Sequence, residues 1–598
     1  MNPAPPRVKE RSEAALHQRS RSEGHETPRR AERAGSRRSP AESGSLPHLP
    51  LRDRRNDLSM NDINIADALE TAAEIRGDGN SLIQGDRTLS WREVDRRTRN
   101  LAAWMKEQGA TQQGKVAIYS YNGPAYMEAV GAAFKASLVP VNVNYRYREE
   151  ELRYLFDNSD SEIIVVHEDF VPLVASVVGD LPKVKAVLVV EVEGGADTSG
   201  LPSPARYEEV VEEDRERVST PRSGDDLLFL YTGGTTGMPK GVMWRQGDLF
   251  ARFGGGGIGA APTSLEAYRE FVQGQAGASR LLVGPPLMHG TGWFTSMISW
   301  LAGGTVILAS DPKSFDPADM LATIGAQKAT GLTIVGDPFA RPLVRELAEN
   351  RDRYDISSLL VVMSSGVMWS QETKAALIEV NSTMVLIDAF SSSEAIGMGS
   401  SVTSAAGQVN TGKFAITDTT RLFDADLKIL ESSPGVKGMV GVGGPQPLGY
   451  YKDPEKSART FVEAEGQRFS IPGDWAVIDE DGVTLSLLGR GSVCINTGGE
   501  KVFPEEVEEV IKRLEGTRDA VVVGVPDEKW GEAITAVVST QSGEFDEEAM
   551  RAHVKEHLAG YKCPKHFVHV DEVYRSPSGK ADFKRTRETA LEALGMGD

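Results

Sequence analysis

Cysteine is nearly absent: Cys494 and Cys563 are the whole complement of a chain of 598 residues. Two thiols build no disulfide framework, and their scarcity points to a reducing cytoplasm. Basic charge is also short. Lys and Arg total 66 against 86 Asp and Glu, a formal net charge of −20. That balance opposes binding to nucleic acid or to an anionic membrane surface, and it leaves any bound polyphosphate dependent on lysine or a metal ion. Long apolar runs are missing as well. The most apolar stretch, 281–310, is broken by Pro285, Pro286, His289 and several glycines. It therefore fails as a continuous span, and no integral membrane association is expected. What is present is globular: a 40% hydrophobic chain too long for one ordinary domain. Composition leaves the oligomeric state open, a homodimer included.

Residues 1–59 are rich in Arg, Ser, Pro and Glu and carry a net +5, which leaves −25 for the rest. Such a segment lacks the apolar surface to offset its ordering entropy and reads as a disordered extension, with Met60 opening the folded protein. Its six glutamates argue against a transit peptide. From Thr88 the chain becomes patterned. Ser90 followed by Glu93 is a capping box, and Val94, Leu101, Ala102 and Met105 then recur on one helical face. A strand at 115–119, a helix at 124–137, a strand at 138–143, a helix near 149–158 and a strand at 162–166 give the alternation of a parallel α/β sheet. Beyond Leu488-Gly489-Arg490 the texture changes. Pro504 with Glu505 and Glu506 suits a helical first turn; strands at 520–525 and 534–539 and a helix near 547–558 predict a small α+β domain. The expected division is 1–59, 60–490 and 491–598.

The strongest local pattern is Thr232-Gly233-Gly234-Thr235-Thr236-Gly237-Met238-Pro239-Lys240-Gly241, directly after the apolar strand 227–231. Successive glycines let backbone amides face a polyphosphate, hydroxyls add donors, and Lys240 adds a compact charge. Pro239 stands where a Walker loop needs glycine. The decapeptide resembles the signature loop of the adenylate-forming superfamily, which includes acyl-CoA synthetases, peptide-synthetase adenylation domains and luciferases. Further stretches resemble the family's other motifs in order, between Asn64 and Arg587.

The resemblance implies roles residue by residue. Ser364-Ser365-Gly366-Val367-Met368 would lie along adenine. In Asp388-Ala389-Phe390-Ser391-Ser392-Ser393-Glu394 an aromatic ring would stack on adenine, a hydroxyl would meet phosphate, and Glu394 with Thr232 would hold Mg²⁺. Ser391 replaces a frequent glycine, and Phe390 lacks the usual tyrosine hydroxyl. Gly438 to Tyr451 resembles the glycine-rich stretch that supports the nucleotide site. Asp474, sixteen residues before Arg490, would share the ribose with it. Gly499, in Gly498-Gly499-Glu500-Lys501, would clear the path of the pantetheine arm of coenzyme A. Lys580, in Pro577-Ser578-Gly579-Lys580, would bridge carboxylate and α-phosphate, and His289 would border the acyl pocket. Trp293, Gly336, Val367 and Met398 are weaker acyl-contact candidates. Ser492 and Asn496 stand where relatives often carry a charged hinge residue and a lysine, so their roles stay open. Gly254 to Gly257 lacks a basic residue at phosphate-loop spacing and reads as flexible linker.

The fold implied is α/β: a large N-terminal domain of α/β subdomains with a small β-barrel-like part, and a small mobile C-terminal domain. The activity implied is an AMP-forming acyl-CoA synthetase using ATP, Mg²⁺ and coenzyme A. Resemblance favours medium or long fatty acids or steroid side-chain acids. The rivals are an acyl-AMP ligase that loads a carrier protein, a luciferase-like use of the adenylate, and a nucleotide-binding protein that has lost catalysis.

Overall fold

The computed structural model describes residues 62–598 except 233–237, 258, 276–278, 368, 408–410, 491–492, 494, 498–499, 528–530, 559, 577–578 and 597–598. The expected extension and parts of four expected motifs, those at 232–241, 364–368, 498–501 and 577–580, thus lie outside the described residues.

Local sequence rules account for the framework. Ser90 caps the helix Trp91–Glu107 in a full capping box with Glu93. Pro124 opens the helix Pro124–Lys135 and Pro504 the helix Pro504–Lys512, both at positions where the missing N–H costs nothing. The strands Lys115–Tyr119, Val139–Asn142 and Ser161–His167 fall within a residue or so of expectation and pair in parallel. They belong to an eight-stranded sheet that continues through Leu227–Thr232 and Lys240–Arg245 to Gly449–Tyr450.

A second, larger sheet has a parallel half and an antiparallel half. Strands Thr305–Leu308, Arg280–Val283, Gly331–Ile334, Val361–Ser365 and Val385–Phe390 run parallel in that spatial order. Gly399–Thr403 then pairs antiparallel with Val385–Phe390, and the path continues through Thr484–Arg490 and Asp474–Ile478. This antiparallel half occupies the place of the expected barrel-like part and is hydrogen-bonded to the parallel half without a break.

Period-2 alternation decides which side chains of the parallel half enter the core. Leu282, Leu332, Ile334, Val362 and Leu386 pack together on one face against the helices Pro317–Gln327, Gly336–Asn350 and Gln371–Val380. The intervening positions Leu281, Gly331, Thr333, Val361, Met363 and Ile387 turn to the other face, beneath the helix Gly290–Leu301, and line a cleft. A small unit follows, with the long hairpin Thr517–Asp527 and Gly531–Thr540, and the helices Pro504–Lys512, Glu547–His557 and Phe583–Ala593. Its apolar face is buried in a separate core of Val507, Ile511, Val522, Ile534 and Val554. Among the described residues no helix is long and apolar enough to cross a membrane.

Candidate active site

Parallel strands deliver their C-terminal ends to one edge, where backbone groups are free to meet a ligand. Here that edge is built by Val361–Ser365 and Val385–Phe390, with Asp388 opposite Ser364 and Ala389 opposite Ser365. Gly366 follows at φ 98°, a conformation that glycine adopts without strain. The cleft beneath measures about 2260 Å³ and brings together Thr232, His289, Gly366, Val367, the run Asp388 to Glu394, Asp474 and Lys580. These residues are spread over some 350 positions of sequence, yet they face one space.

Several hydrogen bonds fix the rim. The Trp244 indole donates to Ser393 O at 2.9 Å, and the Ser470 hydroxyl donates to Glu394 O at 2.7 Å. The Tyr450 hydroxyl donates to Glu394 Oε1 at 2.9 Å, which orients the carboxylate. Tyr450 therefore does more than support a backbone turn. Phe390 is buried and packs against Phe414, ring centroids 5.2 Å apart. The Ser391 and Ser392 hydroxyls accept from Gly397 N and Ala395 N, both at 3.1 Å, so their first task is to shape the loop.

The spacing between Asp474 and Arg490 resolves into a direct pairing. The two residues face each other across adjacent antiparallel strands. Gly489 beside them sits at φ 126°, where a Cβ would collide with the Glu505 carboxylate.

Asn142, which carried no visible pattern, is the clamp of the floor. Its Oδ1 accepts from Tyr231 N at 2.6 Å, while Nδ2 donates to Tyr231 O at 2.9 Å and to Met288 O at 2.5 Å. One buried amide thus joins the strand that leads into the glycine-rich loop to the segment that presents His289. His289 occupies the N-cap position of the helix Gly290–Leu301 without a side-chain capping hydrogen bond, and its Nε2 is buried. Burial, reinforced by the positive charges of Lys580 and Arg146, pushes its pKa down to about 3. The imidazole is neutral at any physiological pH.

Lys580 arrives from the small unit on a turn closed by Ser576 N donating to Lys580 O at 2.8 Å. Its Cε stands 3.9 Å from the place a Cβ on Gly366 would occupy. Lys240 behaves differently. Its ammonium is ion-paired with Asp453 and does not line the cleft. Asp388 is buried beside Lys374, whose Nζ lies 3.2 Å from Oδ2 and over the Trp369 ring. Burial outweighs that attraction and pushes the Asp388 carboxyl up to about 6.

Of the weaker acyl candidates, Val367 lines the cleft, whereas Trp293, Gly336 and Met398 are buried in the packing around it. Gly255, Gly256 and Gly257 are corrected from linker to cleft wall. Gly256 and Gly257 take φ 73° and 74°, and a Cβ on Gly257 would press on Ile298 at 3.3 Å. Gly233 to Gly237, Met368, Ser492 and Gly499 lie outside the described residues, and the side chains of Arg490 and Asn496 are not described.

Known proteins resemble the chain over most of its length. Residues 69–451 match the family described as AMP-binding enzyme, and residues 506–580 its C-terminal domain. The medium/long-chain-fatty-acid–CoA/3-oxocholest-4-en-26-oate–CoA ligase of Mycolicibacterium smegmatis is 37% identical over 539 residues, covering 89% of this chain and 97% of that protein. The 3-oxocholest-4-en-26-oate–CoA ligase of Rhodococcus rhodochrous is 38% identical over 540 residues, covering 88% and 96%. Among solved structures, the anthranilate CoA ligase AuaEII with anthranoyl-AMP superposes at a TM-score of 0.75 with 22% identity, over 90% of this chain and 98% of that one. The chain belongs to the AMP-binding enzyme family, with the family's large N-terminal and small C-terminal domains.

Proposed function

We propose that the protein is an AMP-forming acyl-CoA synthetase acting on a medium- or long-chain fatty acid or a steroid side-chain acid. The observation that carries this reading is that Lys580, His289, Gly366 and Glu394 line one cleft, with Lys580 Cε beside Gly366, and that residues of the Gly290–Leu301 helix and of the sheet line the same cleft. The near full-length similarity to ligases named for such acids supports the substrate class.

In the first half-reaction a carboxylate oxygen attacks the α-phosphorus of ATP in line, and pyrophosphate leaves with the bridging oxygen. Lys580 neutralises charge where carboxylate and α-phosphate meet, and the glycine-rich loop that follows Thr232 cradles the departing phosphates, Lys240 being held away from the cleft by its ion pair with Asp453. Phe390 and the 364–368 segment flank adenine, and Asp474 with Arg490 holds the ribose. Thr232 and Glu394 offer oxygen donors that suit a hard cation, and both line the cleft. Mg²⁺ bound there would supply charge neutralisation at the phosphates. His289, being neutral, borders the carboxylate without adding a competing charge.

In the second half-reaction the thiol sulfur of coenzyme A attacks the acyl carbonyl, a C–S bond forms, the C–O bond to phosphate breaks, and AMP leaves. The small domain, with its boundary placed near Arg490, rotates between the two steps, so that Lys580 withdraws and Gly499 lines the pantetheine path. The low cysteine count supports a reducing cytoplasm as the setting.

The test is product analysis with ATP, a panel of acids from acetate to long-chain and steroid acids, and coenzyme A. Acyl-CoA and AMP in equal amounts, with catalytic efficiency rising with apolar length, are expected, since each buried methylene contributes about 0.8 kcal/mol. Acetate as the best substrate would overturn the substrate class. Adenylate formation with no transfer to coenzyme A would point to the carrier-loading alternative.

A further inference from the structure

Among the described residues, Arg252 is a cation of the cleft that faces no anion. The helix Gln246–Phe253 buries Leu249, Phe250 and Phe253 and leaves Arg252 on the cleft wall, half-buried. Backbone carbonyls alone hold the guanidinium. Nε and Nη2 donate to Pro445 O at 3.2 and 3.0 Å, and Nη2 donates also to Gly443 O at 2.9 Å. Nη1 has no partner among the described residues, and it is not sealed in the packing. Asp248, one helical turn back, is engaged by Arg245 at 3.4 Å. Burial lowers the Arg252 pKa, and Asp248 is the one charge that opposes this. The charge of Lys580 is felt by His289 but is not among those felt at Arg252, so the guanidinium stands apart from the reacting end. Its surroundings belong to the helix Gly290–Leu301: Phe253 packs on Phe294, ring centroids 5.3 Å apart, and Gly257 lies against Ile298. Gly397, also of the cleft wall, adjoins Nη1, since a Cβ built there would stand 3.7 Å from it.

We infer that Arg252 is a specificity-determining residue that binds an acceptor oxygen, a ketone carbonyl or a second carboxylate, carried by the acyl chain at a distance from the carboxylate being activated. The inference rests on the acyl-CoA synthetase reading and adds a substrate feature to it. A guanidinium has donors only, so the group it takes must accept. Water meets that need while the cleft is open. A plain alkyl chain laid along this wall displaces the water and leaves a charged donor with nothing to bond, which is unfavourable. An acceptor oxygen at the same height restores the hydrogen bond, and a bond from a charged donor is among the stronger ones. The bonds to Gly443 and Pro445 fix the fork before substrate arrives, so little side-chain freedom is lost on binding. A site built in this way rejects the analogue that lacks the matching group.

The experiment compares catalytic efficiency, read as acid-dependent pyrophosphate release, for hexadecanoate, for monoketo hexadecanoates with the ketone at successive carbons, and for saturated dicarboxylic acids up to hexadecanedioate. The parent protein, Arg252→Met and Arg252→Lys are assayed side by side. For at least one acceptor position the parent is expected to favour the substituted acid over hexadecanoate by about tenfold or more. Whether ketones or dicarboxylates show that preference identifies the oxygen. Arg252→Met should lose the preference, and Arg252→Lys, which keeps the charge without the fork, should retain only part of it. A parent that favours hexadecanoate over every substituted acid overturns the inference. So does a Met variant with the parental acid ratios, including one whose KM for ATP or coenzyme A rises while those ratios stay put. Should Arg252→Met fail to fold once Gly443 and Pro445 lose their donors, the parent and Arg252→Lys decide: a preference that is unchanged in the Lys variant overturns the inference, and one that falls supports it. No acid-dependent turnover of any kind would instead overturn the synthetase reading itself.

Discussion

Individual side chains in this cleft are tuned by burial more than by their neighbours. Asp388 shows this most clearly, because its carboxyl is pushed up to about 6 even though Lys374 Nζ lies 3.2 Å away. An unfolded aspartate titrates near 3.9, so the folded state binds the proton more tightly. The resulting stabilisation is fully present below about pH 4 and is lost as pH rises through about 6, on the order of 3 kcal/mol in all. Asp388→Asn should flatten that part of a stability-versus-pH profile while leaving the rest unchanged. An unaltered slope in urea midpoints between pH 4 and 7 would contradict the assignment. Glu394 has a different task. Its carboxylate is held by the Tyr450 hydroxyl at the cleft rim. Glu394→Ala should lower adenylation by at least about a hundredfold and weaken its magnesium dependence, since charge compensation at the phosphates is worth several kcal/mol. Full activity with unchanged magnesium dependence would remove Glu394 from the site.

At the scale of elements, what was legible in the sequence was local. The capping box at Ser90 and Glu93, the proline-opened helices and the parallel strands depend on residues within a turn or a strand of one another. The pairing of Asp474 with Arg490 was legible only as a spacing, which the antiparallel register turns into contact between neighbouring strands. Asn142 was illegible because its partners lie 89 and 146 residues away. Gly255 to Gly257 were misread because a missing basic residue excludes a phosphate loop but does not reveal which helix the glycines face. The Asn142 clamp predicts its own test. Asn142→Ala strands Tyr231 N, Tyr231 O and Met288 O in a buried place, and each unsatisfied group costs about 1–3 kcal/mol. A loss of about 2–4 kcal/mol in the stability of the large domain is expected, together with lower catalytic efficiency, because the clamp joins the strand leading into the glycine-rich loop to the His289 segment. Equal stability and activity in the variant would show that the three segments hold their places without it.

For the whole molecule, the decisive question is whether one small domain serves two half-reactions in turn. In this structure Lys580 reaches the cleft from the small domain, with Cε beside Gly366 and its charge felt by His289. An ammonium there can offset charge at the α-phosphate during adenylation, where removing one preorganised donor costs about 3–4 kcal/mol, or roughly a hundredfold to a thousandfold in rate. If the domain then rotates, the same side chain is remote from the thioester-forming atoms. Lys580→Ala should therefore nearly abolish adenylate formation from ATP and acid, yet convert chemically prepared acyl-AMP and coenzyme A to thioester at close to the parental rate. A solvated bystander lysine would leave both halves unchanged. Equal and severe loss in both would mean either that the small domain does not alternate or that Lys580 holds the fold, and a urea midpoint on the same variant separates those two. Because adenylation and transfer are measured on one protein, the outcome bears on the rotation of the domain as well as on the role of the lysine.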